Sequence, residues 1–223
     1  MAILHTSVLR PTKLELVTDW VPRQAWFAGD PSATFTQVGA FRFDDPDGEV
    51  GVETLLVRAG DGPVLQVPLT YRAAPLEGGE PWFITTMQHS VLGERWVYDG
   101  VGDPVYLATV VATICGAGEQ AELLVESGGE RVRREPTALV RGGGARDGRV
   151  PRVAGVPSQV RDDDGRTLVT AGELNLSVAR RLDATSPTSP AGATSTPAGS
   201  LTGTWAGQDD PVELVRIVTL AEV

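Results

Sequence analysis

Eight side chains hold most of the recognition chemistry in this sequence: Trp20, Arg23, Trp26, Phe27, Arg72, Arg95, Trp96 and Tyr98. Sets of Trp, Tyr and Arg occur at interaction hot spots, where each residue joins a broad apolar surface to a polar tip, and on platforms that stack against sugar rings. The competing reading, which the residue types favour, is that the large aromatics anchor a small helix to a sheet. Other chemistries fare worse. His5 and His89 are the only histidines and Cys115 is the only cysteine, so no zinc-type ligand spacing exists and no metal is expected. There is no G-x-S-x-G elbow, and Cys115 sits in an apolar stretch where core packing, not a reactive thiolate, is expected. Carboxylates cluster at Asp44-Asp45-Asp47, Asp162-Asp163-Asp164 and Asp209-Asp210, each beside Gly or Pro, which predicts turns; calcium-loop spacing is absent from the second. Arg141-Gly142-Gly143-Gly144-Ala145-Arg146 offers amides to an anion, but a mobile hairpin tip is the commoner explanation.

Phosphoryl transfer is tested by the basic residues. Of 19 basic side chains 18 are arginine, and Lys13 is the only lysine. Neither a Walker loop nor the strand lysine and H-R-D and D-F-G loops of protein kinases is present, and arginine does not replace a lysine acting as a compact charge on a nucleotide. No catalytic residue and no cofactor are therefore expected. The net charge of −10 on 223 residues argues against nucleic-acid and anionic-membrane partners. The start MAILHTSVLR has no leader pattern and no apolar run nears the roughly 18 residues of a membrane helix, so a cytoplasmic protein is expected.

The elements that must position these residues follow from caps and periodicity. Thr12 with Glu15 forms a capping-box pattern that predicts a helix over Lys13 to Trp20, with a bend at Pro22. Valine-, threonine- and aromatic-rich runs at Phe35 to Phe43, Val50 to Ala59 and Val64 to Tyr71, divided by Asp/Gly/Pro turns, predict an antiparallel meander, and Pro68 marks an edge or a bulge. Trp82 to His89 is a fourth strand. Asp103 before Pro104 opens a nearly all-apolar helix that stops at Gly116 and is expected to rest on the concave face of the sheet. Short strands follow at Glu122 to Glu126, Val132 to Val140, Val150 to Val160, Thr167 to Thr170 and Leu174 to Leu182, with a turn at Ser127-Gly128-Gly129. Residues 184–200 read as a flexible loop, and Val212 to Val223 as a returning strand.

The run Asp19-Trp20-Val21-Pro22-Arg23-Gln24-Ala25-Trp26-Phe27-Ala28-Gly29-Asp30 resembles a helix end near the start of actinobacterial-type maltokinases, where the pattern is W-[LV]-P-x-Q-R-W-F-x-G-K. Leu55-Leu56-Val57, Val64 to Tyr71 and Tyr98-Asp99-Gly100 before a buried helix follow in similar order. The resemblance spans residues 1–118 and implies the maltokinase N-terminal cap, also found in aminosugar kinases: a curved, cystatin-like antiparallel sheet with a packed helix. In the family this cap precedes an intermediate subdomain and a helical catalytic lobe, and the enzyme makes maltose 1-phosphate from maltose and ATP on a route to glycogen-like glucans. Here Ala25 stands in place of the family's arginine and Asp30 in place of its lysine. Gly172 to Val178 and Arg180-Arg181-Leu182 faintly resemble the intermediate subdomain, without a strand lysine.

The resulting expectation is an α+β protein, mainly antiparallel β, with a cap-like domain at 1–118 and a β-rich region at 119–223. Its expected role is that of a non-catalytic accessory protein of α-glucan or trehalose metabolism, partnered by a maltokinase-like or glucan-processing enzyme. The alternatives are a carbohydrate-binding module for an α-glucan or disaccharide, using Trp20, Trp26, Trp96 and Tyr98, and a sugar kinase-like protein with residual ATP-dependent activity.

Overall fold

Thr12 and Glu15 close the predicted capping box. The Glu15 amide donates to the Thr12 hydroxyl at 3.3 Å and the Thr12 amide to the Glu15 carboxylate at 2.8 Å. Helix α1 (Lys13–Trp20) runs behind them, and a short 3-10 turn, Val21–Arg23, bends the chain at Pro22. The computed structural model describes residues 2–4, 8–127, 130–144, 150–153, 155–182 and 199–218. His5, the Gly128-Gly129 turn, residues 184–198 of the expected loop and the end of the expected last strand lie outside the described residues.

Before α1 come β1 (Ala2–Leu4) and β2 (Leu9–Arg10). After it come β3 (Phe35–Phe43), β4 (Gly51–Ala59), β5 (Val64–Arg72), β6 (Phe83–His89) and β7 (Gly93–Asp99), and then α2 (Pro104–Cys115). The remainder is β8 (Leu123–Ser127), β9 (Glu130–Arg134), β10 (Ala138–Gly142), β11 (Gln159–Asp163), β12 (Arg166–Ala171), β13 (Leu174–Ala179), β14 (Arg181–Leu182), β15 (Gly199–Trp205) and β16 (Gln208–Ile217). The architecture is mostly antiparallel β with two short helices. One sheet, in the order β2-β6-β7-β5-β4-β3 with β14 also on β5, curls into a half-barrel. A second runs β10-β15-β16-β13-β12-β11, and a small third holds β1, β8 and β9, with β1 and β8 parallel. Among the described residues no helix is long and apolar enough to cross a membrane.

Several elements differ from the sequence expectation. The meander β3-β4-β5 forms, but β6 reaches it only through β7, whose Gly-Glu-Arg start hides a strand. The run Val132 to Val140 is broken around Pro136 into β9 and β10, and prolines 151 and 157 leave only Gln159 onward of the next run as a strand. Leu174 to Leu182 is two strands parted at Arg180. Asp209 and Asp210 lie within β16 instead of a turn, because the reversal is made one step earlier at Ala206-Gly207. Of the glycine run, Gly142 to Gly144 are held by backbone hydrogen bonds, and Ala145 and Arg146 lie outside the described residues. The Gly142 amide donates to Gly118, Gly143 to Ser200 and Gly144 to Ile114 carbonyls, at 2.8–2.9 Å. A Cβ on Gly142 would lie 2.1 Å from the Thr113 carbonyl oxygen at the end of α2, so only glycine lets β10 pass so close.

Both faces of the half-barrel are buried, which is why its central strands are apolar on alternate and intervening positions alike. On one face Leu55, Val57, Leu65, Val67 and Leu69 pack on Leu16, Val17 and Val21 around α1. On the other, Phe41, Phe43, Val52, Leu56 and Val64 share a core with Tyr106, Leu107, Val110, Val111 and Ile114 of α2 and with Val140, Leu176, Leu201 and Val215 of the second sheet. Each such fully buried side chain contributes about 1.5–3 kcal/mol over its exposed state.

Candidate functional site

Strand register separates the eight candidate residues into two groups. Thr70 pairs with Tyr98 and Arg72 with Trp96, whereas Tyr71 pairs with Val97 and Leu69 with Asp99. Side chains alternate across a strand, so Arg72, Trp96 and Tyr98 share the face away from α1 and Arg95 falls on the α1 face. Trp20, Trp26 and Phe27 belong to the apolar cluster around α1. Trp20 meets Trp26 edge-on at 6.0 Å, and Phe27 lies 6.0 Å from Phe35. Arg23 is exposed on the 3-10 turn. The eight residues are therefore not one surface.

On the far face, Arg72 is committed to the start of α2. Its Nε and Nη2 donate to the two oxygens of Asp103 at 2.7 Å each, and the Thr70 hydroxyl adds a third bond at 2.7 Å. Asp103 is wholly buried, and its Oδ1 also accepts the Val105 amide at 2.9 Å as the N-cap of α2. The hydrogen bond to Asp103 holds the Arg72 guanidinium above its ordinary range. Tyr98 is buried as well: its hydroxyl accepts the Leu76 amide at 2.9 Å and its ring takes Phe83 edge-on at 5.5 Å. Gly102, between Asp99 and α2, lies under Trp82, where a Cβ would come 2.1 Å from the ring. What stays open on this face is Trp96, half-buried opposite Thr86, and Phe83, 42% exposed.

The α1 face holds two charged groups that the residue pattern did not single out. Lys13 reaches Glu53 Oε2 at 2.6 Å and lies 5.7 Å above the Tyr71 ring, while the Tyr71 hydroxyl donates to the same oxygen at 3.1 Å. Burial pushes the Glu53 carboxyl up, but the charges of Lys13 and Arg42 prevail and hold it below its ordinary value. Burial and the Glu53 charge push the Tyr71 hydroxyl well up. The second group joins Asp99 to Arg180, with Nη2 to Oδ2 at 2.5 Å and the guanidinium 5.0 Å from the Trp26 ring. Here burial wins, and the Asp99 carboxyl lies above its ordinary value despite its counterion. A glutamate inside the apolar run Val52 to Val57, in a sequence with one lysine, was the available signal for the first group.

The remaining candidates have structural work. Asp45 accepts the amides of Asp47, Glu49 and Val50 at 2.9–3.2 Å and so builds its turn. His89 Nδ1 accepts those of Val91 and Leu92, shaping the β6-β7 hairpin, and Arg95 donates to the Leu92 carbonyl at 2.7 Å. Cys115 is buried, and burial pushes its thiol up. The Gly142 to Gly144 amides are engaged by protein carbonyls, so they make no anion cradle. Among the described residues, no group of three or more His, Cys, Asp and Glu side chains is placed to hold a metal ion. In comparison with known proteins, the family model for the maltokinase N-terminal cap domain matches residues 20–103, from the end of α1 to the N-cap of α2. No curated protein matches the chain.

Proposed function

Because residues 20–103 are a maltokinase N-terminal cap-like domain, we propose that this protein acts as a non-catalytic accessory factor of maltokinase-like carbohydrate metabolism. It works by contact with a maltokinase-like or glucan-processing enzyme, in the cytoplasm, on a route linking trehalose or maltose to glycogen-like glucans. The match over residues 20–103 carries the reading. The position of the single lysine supports it: Lys13 is tied to Glu53 beneath α1, which leaves no lysine for a nucleotide phosphate. We further read the half-barrel with α2 as a cystatin-like pairing of curved sheet and packed helix, since α2 shares a core with β3, β4 and β5. Residues 119–223 are read as a β-rich region resembling a reduced kinase intermediate subdomain.

The test is recovery from a native lysate on the immobilised full chain. A maltokinase-like or glucan-processing enzyme is expected among the retained proteins; its absence would refute the accessory role. Calorimetry with ATP and magnesium is expected to show no binding, and a binding isotherm would revive a residual kinase.

Sugar binding is a second reading. Trp26 is buried on the α1 face and Tyr98 has its ring and hydroxyl engaged, so the stacking surfaces left among the four are the half-buried Trp20 and the half-buried Trp96 with the exposed Phe83 beside it. Tryptophan fluorescence titrated with maltose, maltooligosaccharides and trehalose discriminates the readings, because contact with a protein partner alone predicts no shift at millimolar sugar.

A further inference from the structure

Strand β5 changes neighbours part-way along one edge. Leu69 to Arg72 pair with β7, whereas Val64 and Leu65 pair with β14 and the Gln66 amide donates to the Arg180 carbonyl at 2.8 Å. Backbone donors alternate between the two edges of a strand, so the residue two beyond Gln66 addresses the same edge. That residue is Pro68, which has no donor to leave unpaired, and it falls in the gap between the two neighbours. The gap is tight: a Cβ on Gly100, just past β7, would lie 3.1 Å from Pro68 Cβ.

Across this gap Asp99, the last residue of β7, meets Arg180, the residue between β13 and β14. The Arg180 side chain is 1% exposed and that of Asp99 8%. Besides the 2.5 Å contact with Asp99, the Arg180 Nε donates to the Thr167 hydroxyl at 2.8 Å, which in turn donates to Asp162 at 2.6 Å. One guanidinium thus joins the end of β7, the Trp26 ring after α1, and the β11-β12 hairpin of the second sheet. On the opposite face of β5 the Gln66 side-chain amide donates to the carbonyls of Ala179 at 2.9 Å and Leu214 at 3.1 Å, in β13 and β16.

We infer that the cap-like half and the second sheet are one cooperative folding unit, clasped by Arg180, and that the segment from Ala179 to Leu182 is the strand for which the β5 edge is built. A charge this deeply buried is tolerated only while it is paired and hydrogen-bonded. Separation of the second sheet would unpair Asp99, uncover Trp26 and bare the β5 edge at once, so neither half opens alone. The same occupancy closes that edge to strands of other proteins.

Hydrogen exchange of the full chain, followed peptide by peptide, tests this. In the unaltered protein, β4 and β5 are expected to exchange with the same opening free energy as β13 and β16. Arg180→Met is expected to accelerate exchange in both sets together, by about a hundredfold or more if the pair is fully broken. Asp99→Asn keeps an acceptor facing the guanidinium and serves if Arg180→Met does not fold; it is expected to accelerate both sets together by a smaller factor. Opening of the second sheet at lower free energy than β4 and β5, or a variant effect absent from or confined to one half, would overturn the inference.

Discussion

Replacing Lys13 by methionine removes one charge from a set of interacting buried groups and makes the sign of a pH dependence change. Lys13 Nζ lies 2.6 Å from the Glu53 carboxylate, with side-chain exposures of 26% and 8%. Methionine keeps an unbranched stem near the Tyr71 ring and a helix propensity close to that of lysine, so the charge is the main loss. Breaking a fully buried ion pair costs about 3–5 kcal/mol. Lys13 is partly wet, and Glu53 retains the Tyr71 hydroxyl at 3.1 Å and the Arg42 charge, so the expected cost at neutral pH is about 2–3 kcal/mol. In the unaltered protein the folded Glu53 carboxyl titrates below its ordinary value of 4.5, so its contribution is present above that value and fades as pH falls through the folded one. Without Lys13, burial, already the largest single influence, is opposed only by Arg42 and Tyr71, and the folded value is expected to rise above the unfolded one. Protonation then favours folding, and the penalty relative to the unaltered protein shrinks as the solution is acidified. Urea unfolding at about pH 7.5, 6 and 5 measures it, with unchanged slopes as the control for two-state behaviour. Glu53→Gln in the Lys13→Met background is expected to recover most of the loss. A penalty that stays constant across that range, or is not relieved by Glu53→Gln, would refute the assignment of the cost to an uncompensated Glu53 charge.

Asp103→Ala removes the α2 N-cap and strands Arg72 and Thr70; a loss of about 3 kcal/mol or more is expected, seen as a thermal midpoint lower by at least about 6 °C, with Asp103→Asn much milder. Gly102→Ala forces a methyl to within 2.1 Å of the Trp82 ring, so about 1–3 kcal/mol and a changed near-ultraviolet circular dichroism signal are expected; an unaltered spectrum would show that the turn yields freely. Trp26→Ala is expected to cost about 3–5 kcal/mol in chemical unfolding because it leaves a cavity under Arg180, whereas Trp96→Ala is expected to cost less and to remove any sugar-dependent fluorescence change that arises at Trp96.

Local chemistry made the helices and turns legible. Thr12 with Glu15, Asp103 with Pro104, and the Asp45 turn are each set within a few residues, so the sequence states them directly. The faces of β5 were legible for the same reason, since Leu65, Val67, Leu69 and Tyr71 alternate with Val64, Gln66, Pro68 and Thr70. Strand β7 was not, because Gly93-Glu94-Arg95 has turn chemistry and only pairing with distant β5 and nearby β6 makes it a strand. That the eight candidate residues do not share one surface was hidden for a related reason. Which face of the sheet Arg95 and Trp96 take depends on register across the sheet, and register is a property of partners, not of the residues themselves, while Trp26 lies in the turn after the 3-10 segment. The burial of Arg180 follows from the change of sheet between β13 and β14, which the run Leu174 to Leu182 does not announce.

Pro68 also bears on how the chain is made. Gln66 and Arg180, whose carbonyl takes the Gln66 amide on this edge, are 114 residues apart, so at a synthesis rate of about 5–20 residues per second β5 leaves the ribosome roughly 6–23 s before the segment that covers it. Through that interval an apolar strand offers an open edge, the usual template for pairing with another nascent chain. A proline facing that edge interrupts any continuous ladder a foreign strand could form there, while costing the finished protein no hydrogen bond, because its own neighbours part at the same point.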